Sequence, residues 1–480
     1  MINVFLFLCL VIITKIGTDF YCVIAKKYKI LDKPDAMRKL QKEPIPVGGG
    51  IVVFLVFVTT FFAACYLHFF PLSVSVILFP LIITSFILVI CGLYDDRNGL
   101  DGKKKLLIQI LISTIILIFA KDYSDISLLG QTCNLGHLFY PIAIFWLVGF
   151  INSINLLDGA DGVVTSLGAY IFITIGMIAI INGIDGIPSI TFVFTAALCG
   201  FFLCNKPPAK VYLGDTGSML IGFVAGILVL RACTINRSIQ VIPAICVVLI
   251  PILDSVFAII RRKNSGRSIF STDRGHIHHR IQKRFGRGYK LLGILFLLQF
   301  PLCLSALAGV YYQNDWIPLT VMFIFIVFIV ASGIFGRAEL KIVLRRLYFL
   351  FIKRFDRDHY EKYGEVFHPQ GTVCWTNLWE YILKQIRKSS CVSIQLDINM
   401  PFINEDYYSE WDNFDKDTQL VCNISVPFII ENKLVGMLYM KYDLRKMTFH
   451  EALLFTENLC NYCLQYIIEH NSYFAKKHVS

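Results

Sequence analysis

Charge is scarce in this chain, because only 16% of its 480 residues are Asp, Glu, Lys or Arg, whereas soluble domains carry about 25%. Apolar residues make up 56%, and the mean hydropathy is +0.63. So little polar surface cannot cover a water-soluble globule of 54.7 kDa. The composition excludes a disordered or fibrous chain as well. It predicts an integral membrane protein with several spans.

Other common signals are lacking too. The 15 cysteines are scattered, and the close pair Cys460 and Cys463 has no second pair or histidine partner. This pattern excludes a disulfide scaffold and favours buried thiols in a reducing compartment. No small-x-small cleavage site follows the apolar residues 1–20, so we expect a retained first span rather than a signal peptide. The sequence contains no internal repeat or low-complexity tract.

Long apolar stretches dominate the first two thirds of the chain. A membrane-spanning helix needs about 20 apolar residues. About eleven stretches approach that length: 2–24, 48–68, 75–94, 106–120, 139–154, 163–182, 187–204, 218–231, 240–260, 291–312 and 317–337. The predicted fold is an all-α polytopic membrane protein of about 11 transmembrane helices, with a small C-terminal soluble α/β domain. The predicted domains are 1–337, embedded in the membrane, and 338–480.

The basic residues predict the orientation. Lysine and arginine concentrate in the first, third, seventh and ninth connections, of which the ninth, within 261–290, is the densest. The intervening connections, such as 183–187, are short or poor in cations. Because cytoplasmic loops are rich in lysine and arginine, we expect the odd connections to be cytoplasmic. The N-terminus is then outside and the C-terminus inside.

The last 140 or so residues have ordinary charge density. A basic amphipathic stretch, Arg337 to Arg346, is expected to lie along the membrane surface. Beyond it, 390–398, 420–430 and 434–442 are predicted strands, with a hairpin turn at 431–433. Thr448 and Glu451 form a capping box that opens a helix to about Glu469. The pattern weakly resembles the second half of a GAF-type sensor domain; the alternative is a generic accessory domain.

The odd connections hold nearly every unusual polar residue of the membrane half. Asp95 and Asp96 directly follow an apolar span, where carboxylates are costly unless they are solvated, paired or bound to a metal. Lys105 and Gln109 follow at the start of the next span. The simpler interpretation is a solvated helix end balanced by the lysines at 103–105.

A second group has regular spacing. Asn152, Asn155, Asp158 and Asp161 follow one another at steps of three, which places them along one face of a helix. Amide oxygens and carboxylates suit Mg²⁺ and sugar hydroxyls. A solvated loop is the alternative, but so regular a spacing favours a site.

A third group precedes an apolar span. Small residues surround Asp215 in the string Gly214-Asp-Thr-Gly-Ser218, as at sites where backbone N–H groups meet phosphate oxygens. A helix cap at Thr216 or Ser218 is the alternative. Asp254 lies inside the span 240–260, and an intramembrane carboxylate suggests either function or a buried ion pair.

The ninth connection combines histidines with cations. His276, His278 and His279 lie beside Arg267 and other arginines, which favours an anion-binding surface. Zinc is the alternative, but no cysteine set accompanies these histidines and the cationic neighbours repel a metal.

Together these strings resemble the polyprenyl-phosphate N-acetylhexosamine-1-phosphate transferase superfamily, glycosyl transferase family 4, over residues 28–285. The resemblance rests on six strings in order: Asp32-Lys-Pro-Asp-Ala-Met-Arg38, Asp95-Asp96, Asn152 to Gly162, Gly214 to Ser218, Pro251-Ile-Leu-Asp254 and His276-Ile-His278-His279. The last string is closer to bacterial members that use N-acetylglucosamine-1-phosphate than to those that use muramoyl-pentapeptide. One departure is Gln41, where the family often has histidine.

The resemblance implies a Mg²⁺-dependent phosphotransferase of the EC 2.7.8 type. It implies transfer of a hexosamine-1-phosphate from a UDP-N-acetylhexosamine to undecaprenyl phosphate, which initiates a cell-envelope glycan such as lipopolysaccharide or teichoic acid. Asp95 and Asp96 would be catalytic and Asp215 and Asn155 would hold the metal. The expected substrate-binding residues are Asn152, Asp158, Asp161, Lys105, Arg267, His276, His278 and His279.

The expected location is the bacterial plasma membrane, with the active site and C-terminal domain in the cytoplasm. No nucleic-acid partner is expected, and a homodimer is left open. Two rival functions are a muramoyl-pentapeptide transferase and a polytopic transporter. Transporters place their polar groups near the midplane and often contain two similar halves, which this sequence does not.

Overall fold

The computed structural model describes residues 2–32, 44–66, 72–119, 125–264, 276–333, 375–386, 389–400, 405–412, 421–430, 433–445 and 447–470. The chain divides into two compact units. One comprises Met1–Phe257 with His276–Arg337, and the other comprises Ala258–Gly275 with Ala338–Ser480. Arg267 and the stretch 337–346 lie outside the described residues. The division into a transferase domain, 1–337, and an accessory domain, 338–480, stays a prediction.

The membrane unit is almost entirely helical. Its helices are α1 (Ile2–Lys27), α2 (Gly50–Tyr66), α3 (Leu72–Asn98), α4 (Gly102–Phe119), α5 (Phe139–Leu157), α6 (Val163–Ile181), α7 (Ile187–Asn205), α8 (Gly214–Ala232), α9 (Val241–Val247), α10 (Leu249–Asn264), α11 (Ile277–Phe285), α12 (Tyr289–Tyr311) and α13 (Trp316–Ala331). Two-residue strands β1 (Leu31–Asp32) and β2 (Ile45–Pro46) pair antiparallel between α1 and α2.

Seven of these helices are long and apolar enough to cross a membrane, or eight if the bent pair α9–α10 is one span. Helices α2 and α13 are apolar but shorter. The predicted count of about eleven spans is therefore not confirmed, although the multi-pass architecture is. Helix α4 shows one reason: it begins at Gly102, so three lysines lie within its 18 residues.

Helix α8 is the centre of the unit, and 83% of its apolar 18-residue stretch is buried. Glycines let neighbouring backbones approach it closely. A Cβ added to Gly50 of α2 would lie 2.1 Å from the Gly217 Cα, and one added to Gly92 of α3 would lie 2.5 Å from the Thr216 Cα. The start of α8 is thus in direct backbone contact with two neighbouring helices.

The bend between α9 and α10 measures 80°. A broken helix leaves carbonyls without their usual partners, which is costly inside a membrane. Gln299 of α12 is fully buried, and its Nε2 donates to the Val247 carbonyl at 2.6 Å. This side chain therefore satisfies a carbonyl at the break.

A small sheet closes the end of the unit at which α4 and α8 finish and α5 begins. It contains β3 (Asp125–Leu128), β4 (Gln131–Asn134), β5 (Thr234–Ile235) and β6 (Ser238–Gln240) in the order β4-β3-β6-β5. β3 and β6 pair in parallel. Asp315, ahead of α13, accepts a hydrogen bond from the Leu129 N–H at 2.7 Å. The sequence analysis did not predict this sheet.

Apart from the end of α10, the described residues of the second unit include a four-stranded antiparallel sheet and two helices. The strands are β7 (Cys391–Met400), β8 (Glu405–Asp412), β9 (Val421–Ile430) and β10 (Lys433–Asp443), in the order β8-β7-β10-β9. Helices α14 (Trp375–Ile386) and α15 (Phe449–His470) share its hydrophobic core. The predicted hairpin and the capping box are confirmed: Glu451 accepts from the Thr448 N–H at 2.8 Å, and its own N–H donates to Thr448 Oγ1 at 3.3 Å. Strand β8 was not predicted.

Candidate active site

Four helix termini meet at the other end of the membrane unit. Helices α3 and α5 finish there, and α4 and α8 begin there, so each contributes the polar residues of its terminal turns. The structure brings together Asp95 from α3, Lys105 from α4, Asn155 from α5 and Asp215 from α8. Residues from four separate stretches of sequence thus form one cluster.

The Lys105 ammonium lies between two carboxylates. It forms ion pairs with Asp95 and, at 2.6 Å, with Asp215, and the two carboxyl groups are within hydrogen-bond reach of each other. Asp95 is further held by the Leu100 N–H, which donates to its Oδ1 at 2.6 Å. Two carboxylates this close repel each other unless a cation or a shared proton lies between them. In this structure Lys105 is that cation.

Asn155 completes the cluster. Its Nδ2 donates to Asp215 Oδ1 at 2.6 Å and to Ser218 Oγ at 3.1 Å. Two carboxylates and one side-chain amide provide the hard oxygen donors that Mg²⁺ prefers, and Mg²⁺ commonly takes only one or two protein carboxylates and completes its shell with phosphates and water. Asp215, Asp95 and Asn155 therefore fit a divalent cation. Over the described ranges, no group of three or more His, Cys, Asp and Glu residues could hold a metal ion by itself.

Asp96, unlike Asp95, contacts the backbone at the start of α8. Its Oδ1 accepts from the Asp215 N–H at 2.8 Å, and its Oδ2 accepts from the Thr216 N–H at 3.1 Å and from Thr216 Oγ1 at 2.6 Å. A Cβ on Gly214 would lie 2.5 Å from Asp96 Oδ2, so glycine is needed there. Asp96 caps the positive end of α8, and both of its oxygens are committed to that helix terminus.

Asn152 lies one turn before Asn155 on α5 and pairs with Gln109, which follows Lys105 in the sequence but was not among the predicted site residues. Its Nδ2 donates to Gln109 Oε1 at 2.6 Å. Gln109 is 1% exposed and lies one turn after Lys105 on α4. The spacing offers a signal for its role, because a glutamine four residues after a lysine shares its helix face.

Asp158 and Asp161 lie in the connection between α5 and α6. Asp158 accepts from the Gly214 backbone N–H, and burial, followed by the charges of Asp215 and Asp96, raises its pKa well above the usual range. Asp161 Oδ2 accepts from the Ala209 N–H at 3.1 Å. Asp158 therefore adjoins the carboxylate cluster, whereas Asp161 holds the connection between α7 and α8.

Asp254 is a partner of the histidine string. It is fully buried on α10, and its Oδ2 lies 3.0 Å from His276 Nδ1. Its Oδ1 accepts from the Ile277 N–H at 2.8 Å. One carboxylate thus orients the His276 ring and caps the start of α11. Of the two interpretations of Asp254, the buried partner is the one present, with histidine rather than arginine.

His278 is 1% exposed, and neither ring nitrogen has a hydrogen-bond partner among the described residues. A Cβ on Gly159 would lie 2.4 Å from its Nε2, so the ring lies against the connection that carries Asp158. Burial, followed by the neighbouring His279 and His276, lowers the pKa of this imidazole well below its usual value. The His278 and His279 rings are 4.1 Å apart. Buried nitrogens without partners mark this place as ready for a polar ligand.

Comparisons with known proteins identify the family of this chain. Residues 78–233 match the model of the family described as Glycosyl transferase family 4. This match includes Asp95, Lys105, Asn155 and Asp215.

Curated relatives extend the similarity over most of the chain. A probable undecaprenyl-phosphate N-acetylglucosaminyl 1-phosphate transferase of Bacillus subtilis (strain 168) is 31% identical over 309 residues, which cover 64% of this chain and 84% of the relative. The undecaprenyl-phosphate alpha-N-acetylglucosaminyl 1-phosphate transferase of Escherichia coli (strain K12) is 31% identical over 348 residues, 70% of this chain and 89% of the relative. A phospho-N-acetylmuramoyl-pentapeptide-transferase of Streptococcus pneumoniae is 34% identical over 229 residues, which cover 44% of this chain and 68% of the relative. The chain belongs to glycosyl transferase family 4, a family of membrane transferases.

Proposed function

We propose that this protein transfers N-acetylglucosamine-1-phosphate from UDP-N-acetylglucosamine to undecaprenyl phosphate and so initiates a cell-envelope glycan. The observation that carries the proposal is the cluster of Asp95, Lys105, Asn155 and Asp215, which lies at one end of a bundle of membrane helices. An acceptor with an apolar chain and a phosphate head meets a water-soluble nucleotide sugar at such a place. The names of the relatives support the acceptor and the chemistry.

The reaction exchanges one phosphoanhydride bond for another and leaves the sugar–phosphate ester intact. An oxygen of the acceptor phosphate attacks the phosphorus that carries the sugar, the bond from that phosphorus to the bridging oxygen breaks, and UMP leaves with that oxygen. The second pKa of a phosphate monoester is about 6, so the acceptor is mostly dianionic at neutral pH. The site therefore needs positioning and charge neutralisation more than a strong base.

Asp95 is the better candidate for the residue that orients the acceptor. Both oxygens of Asp96 are engaged by the start of α8, whereas Asp95 faces Lys105 within the cluster. In this proposal Asp95 holds the acceptor head and takes its proton when it carries one. Asp96 fixes the position of Asp215.

Asp215 and Asn155, with Asp95 beside them, would hold Mg²⁺. When bound, that ion neutralises the charge on the phosphates of the donor. Lys105 adds a second positive charge from the protein itself. Asp158 adjoins this cluster, Asn152 lies one turn from Asn155, and His278 lies against the connection that carries Asp158. These residues and the neighbouring histidines would contact the sugar nucleotide.

The choice of sugar rests on the histidine string and on how much of each relative's length aligns with this chain. His276-Ile-His278-His279 resembles that of N-acetylglucosamine enzymes, and the two relatives with that name align over 84% and 89% of their length, against 68% for the muramoyl-pentapeptide enzyme. The second candidate is therefore UDP-N-acetylmuramoyl-pentapeptide as donor. The density of cations in the odd connections supports a cytoplasmic active site at the plasma membrane.

The test uses membranes that contain the full-length protein, radiolabelled UDP-N-acetylglucosamine, undecaprenyl phosphate and Mg²⁺. We expect a labelled lipid product that Asp215→Asn abolishes. The matched control is Asp185→Asn, an exposed aspartate in the connection between α6 and α7, which should retain activity. A label that transfers only from UDP-N-acetylmuramoyl-pentapeptide would favour the second candidate, and no transfer from either donor would reject the proposal.

Direct transfer can be separated from a covalent route. Stoichiometric enzyme is mixed with the UDP-sugar and Mg²⁺ in the absence of the lipid acceptor. Direct transfer releases no UMP under these conditions. A burst of UMP equal to the enzyme concentration would instead identify an enzyme-bound intermediate.

A further inference from the structure

A groove of about 330 Å³ lies between α6, α7 and α12. Its walls are apolar except for Ser166 and two tyrosine hydroxyls, and they include Phe202, Leu292 and Phe296. Phe296 and Tyr289 are 49% and 58% exposed, so the groove opens on the outer surface of the helix bundle. No carboxylate or histidine of the catalytic cluster lines it. In a membrane, such a surface faces lipid chains.

Cations surround the end of this groove. Lys206 follows Phe202 by one turn, and Arg287 and Lys290 flank Tyr289. A Cβ on Gly288 would lie 3.7 Å from the Pro207 Cβ, so the two connections that carry these cations meet. All three side chains are exposed, and none forms an ion pair with a described residue. Three cations therefore lie together at the end of an apolar groove.

The connection 158–162 separates the groove from the reacting groups. A Cβ on Gly162 would lie 2.8 Å from Phe202 on the groove side, whereas Gly159 lies against His278. A phosphate held by Lys206, Arg287 and Lys290 would therefore lie on the groove side of this connection, and we take the groove as a lipid site separate from that of the reacting acceptor.

We propose that this groove binds an anionic phospholipid of the bilayer, with one acyl chain between α6 and α12 and the phosphate at Lys206, Arg287 and Lys290. Basic pockets between membrane helices at the level of the headgroups select anionic lipids. Such a lipid joins the ends of α7 and α12 and so stabilises the connections that flank the active site. This binding does not depend on the sugar that the enzyme uses.

The test is native mass spectrometry of the full-length protein in detergent with added phosphatidylglycerol or phosphatidylcholine. We expect phosphatidylglycerol to be retained preferentially, and the triple variant Lys206→Gln, Arg287→Gln, Lys290→Gln to bind it about 100-fold more weakly, the scale expected for three interfacial cations. The matched control Lys26→Gln, Lys27→Gln removes cations at the end of α1 and should bind as the wild type does.

A second pair of variants tests the groove itself. Gly293→Trp fills it, because a side chain there meets open space, and Gly149→Trp adds the same bulk to another membrane helix at an equally open position. Only Gly293→Trp should release phosphatidylglycerol. Equal retention of phosphatidylcholine, an unchanged triple variant, or displacement by inorganic phosphate alone would overturn the proposal. Competition by one equivalent of undecaprenyl phosphate would assign the groove to the acceptor and also overturn it.

Discussion

The two ends of the membrane unit are closed in different ways. At one end, backbone hydrogen bonds of a four-stranded sheet join the connections, and Asp315 ties a hairpin in place. At the other end, backbone bonds of the short β1–β2 pair and of the segment before α8 are present too, but side chains make the contacts that hold the polar cluster: Asp96 caps α8, Lys105 joins two carboxylates and Asp254 holds α11. Backbone pairing depends little on side-chain identity, whereas these contacts require particular residues. Substitutions at the second end should therefore affect activity far more than those at the first.

Lys105→Met should have the largest effect. It leaves the carboxylates of Asp95 and Asp215 facing each other without the ammonium between them. We expect at least about a 100-fold loss of kcat, comparable with the removal of one electrostatic group from an active site. Lys104→Met, an exposed neighbour on the same helix, is the control. Equal activity of both variants would contradict the central place given to Lys105.

Asp95→Asn and Asp96→Asn should differ in kind. Asp95→Asn should lower kcat about 100-fold with an unchanged melting temperature. Asp96→Asn weakens the cap on α8, so it should lower the melting temperature as well, since loss of a helix cap costs about 1 kcal/mol. Both are measured on purified protein by transfer assay and thermal unfolding. Identical melting temperatures for the two variants would argue against the division of roles.

Asp315→Asn tests the end closed by the sheet. It replaces a buried carboxylate that accepts from the Leu129 N–H, so we expect a loss of about 1–3 kcal/mol in the free energy of unfolding. The kcat should stay near that of the wild type, because no reacting group lies at this end. A loss of activity as large as that of Lys105→Met would remove the contrast between the two ends.

The smallest expected effect concerns pH. The pKa of His278 is lowered in the folded protein from its ordinary value of 6.5, so the unfolded chain binds the proton more readily. The contribution of His278 to the free energy of unfolding is fully present above pH 6.5 and falls as the pH drops below that value. The loss is about 1 kcal/mol at one pH unit lower. His278→Gln should flatten the stability curve between about pH 7.5 and 5.5. An unchanged slope would show that this imidazole does not titrate as described.

The residue types of the site could be predicted from the sequence, but the contacts between them could not. Regular spacing and position at span ends identified Asp95, Asn155 and Asp215. The commitment of Asp96 to α8, and of Asp254 to His276, depends on which helix ends meet, and no local pattern encodes that. Gln109 was noted beside Lys105 but was not assigned to the site, because it is an isolated polar residue within an apolar helix.

In the fold, too, local patterns could be predicted and long-range contacts could not. Long apolar stretches indicated the apolar helices, and the capping box at Thr448 indicated α15, whereas α11 and α14 were not predicted. The sheet at the closed end was missed because its strands are short and β3 pairs in parallel with β6, more than 100 residues away. β8 was missed because its sequence, Glu405 to Asp412, is acidic rather than alternating. Long-range pairing, rather than local propensity, decides such strands.

The glycine contact between α2 and α8 has a mechanical consequence. Where Gly50 touches Gly217, no flexible side chain separates the two backbones, so neither helix can tilt or slide there without a clash. Asp215, in the first turn of α8, is thereby held in a fixed position. Any adjustment to bound substrates should therefore come from elements without such a backbone contact, such as the short helix α11 that carries His278 and His279.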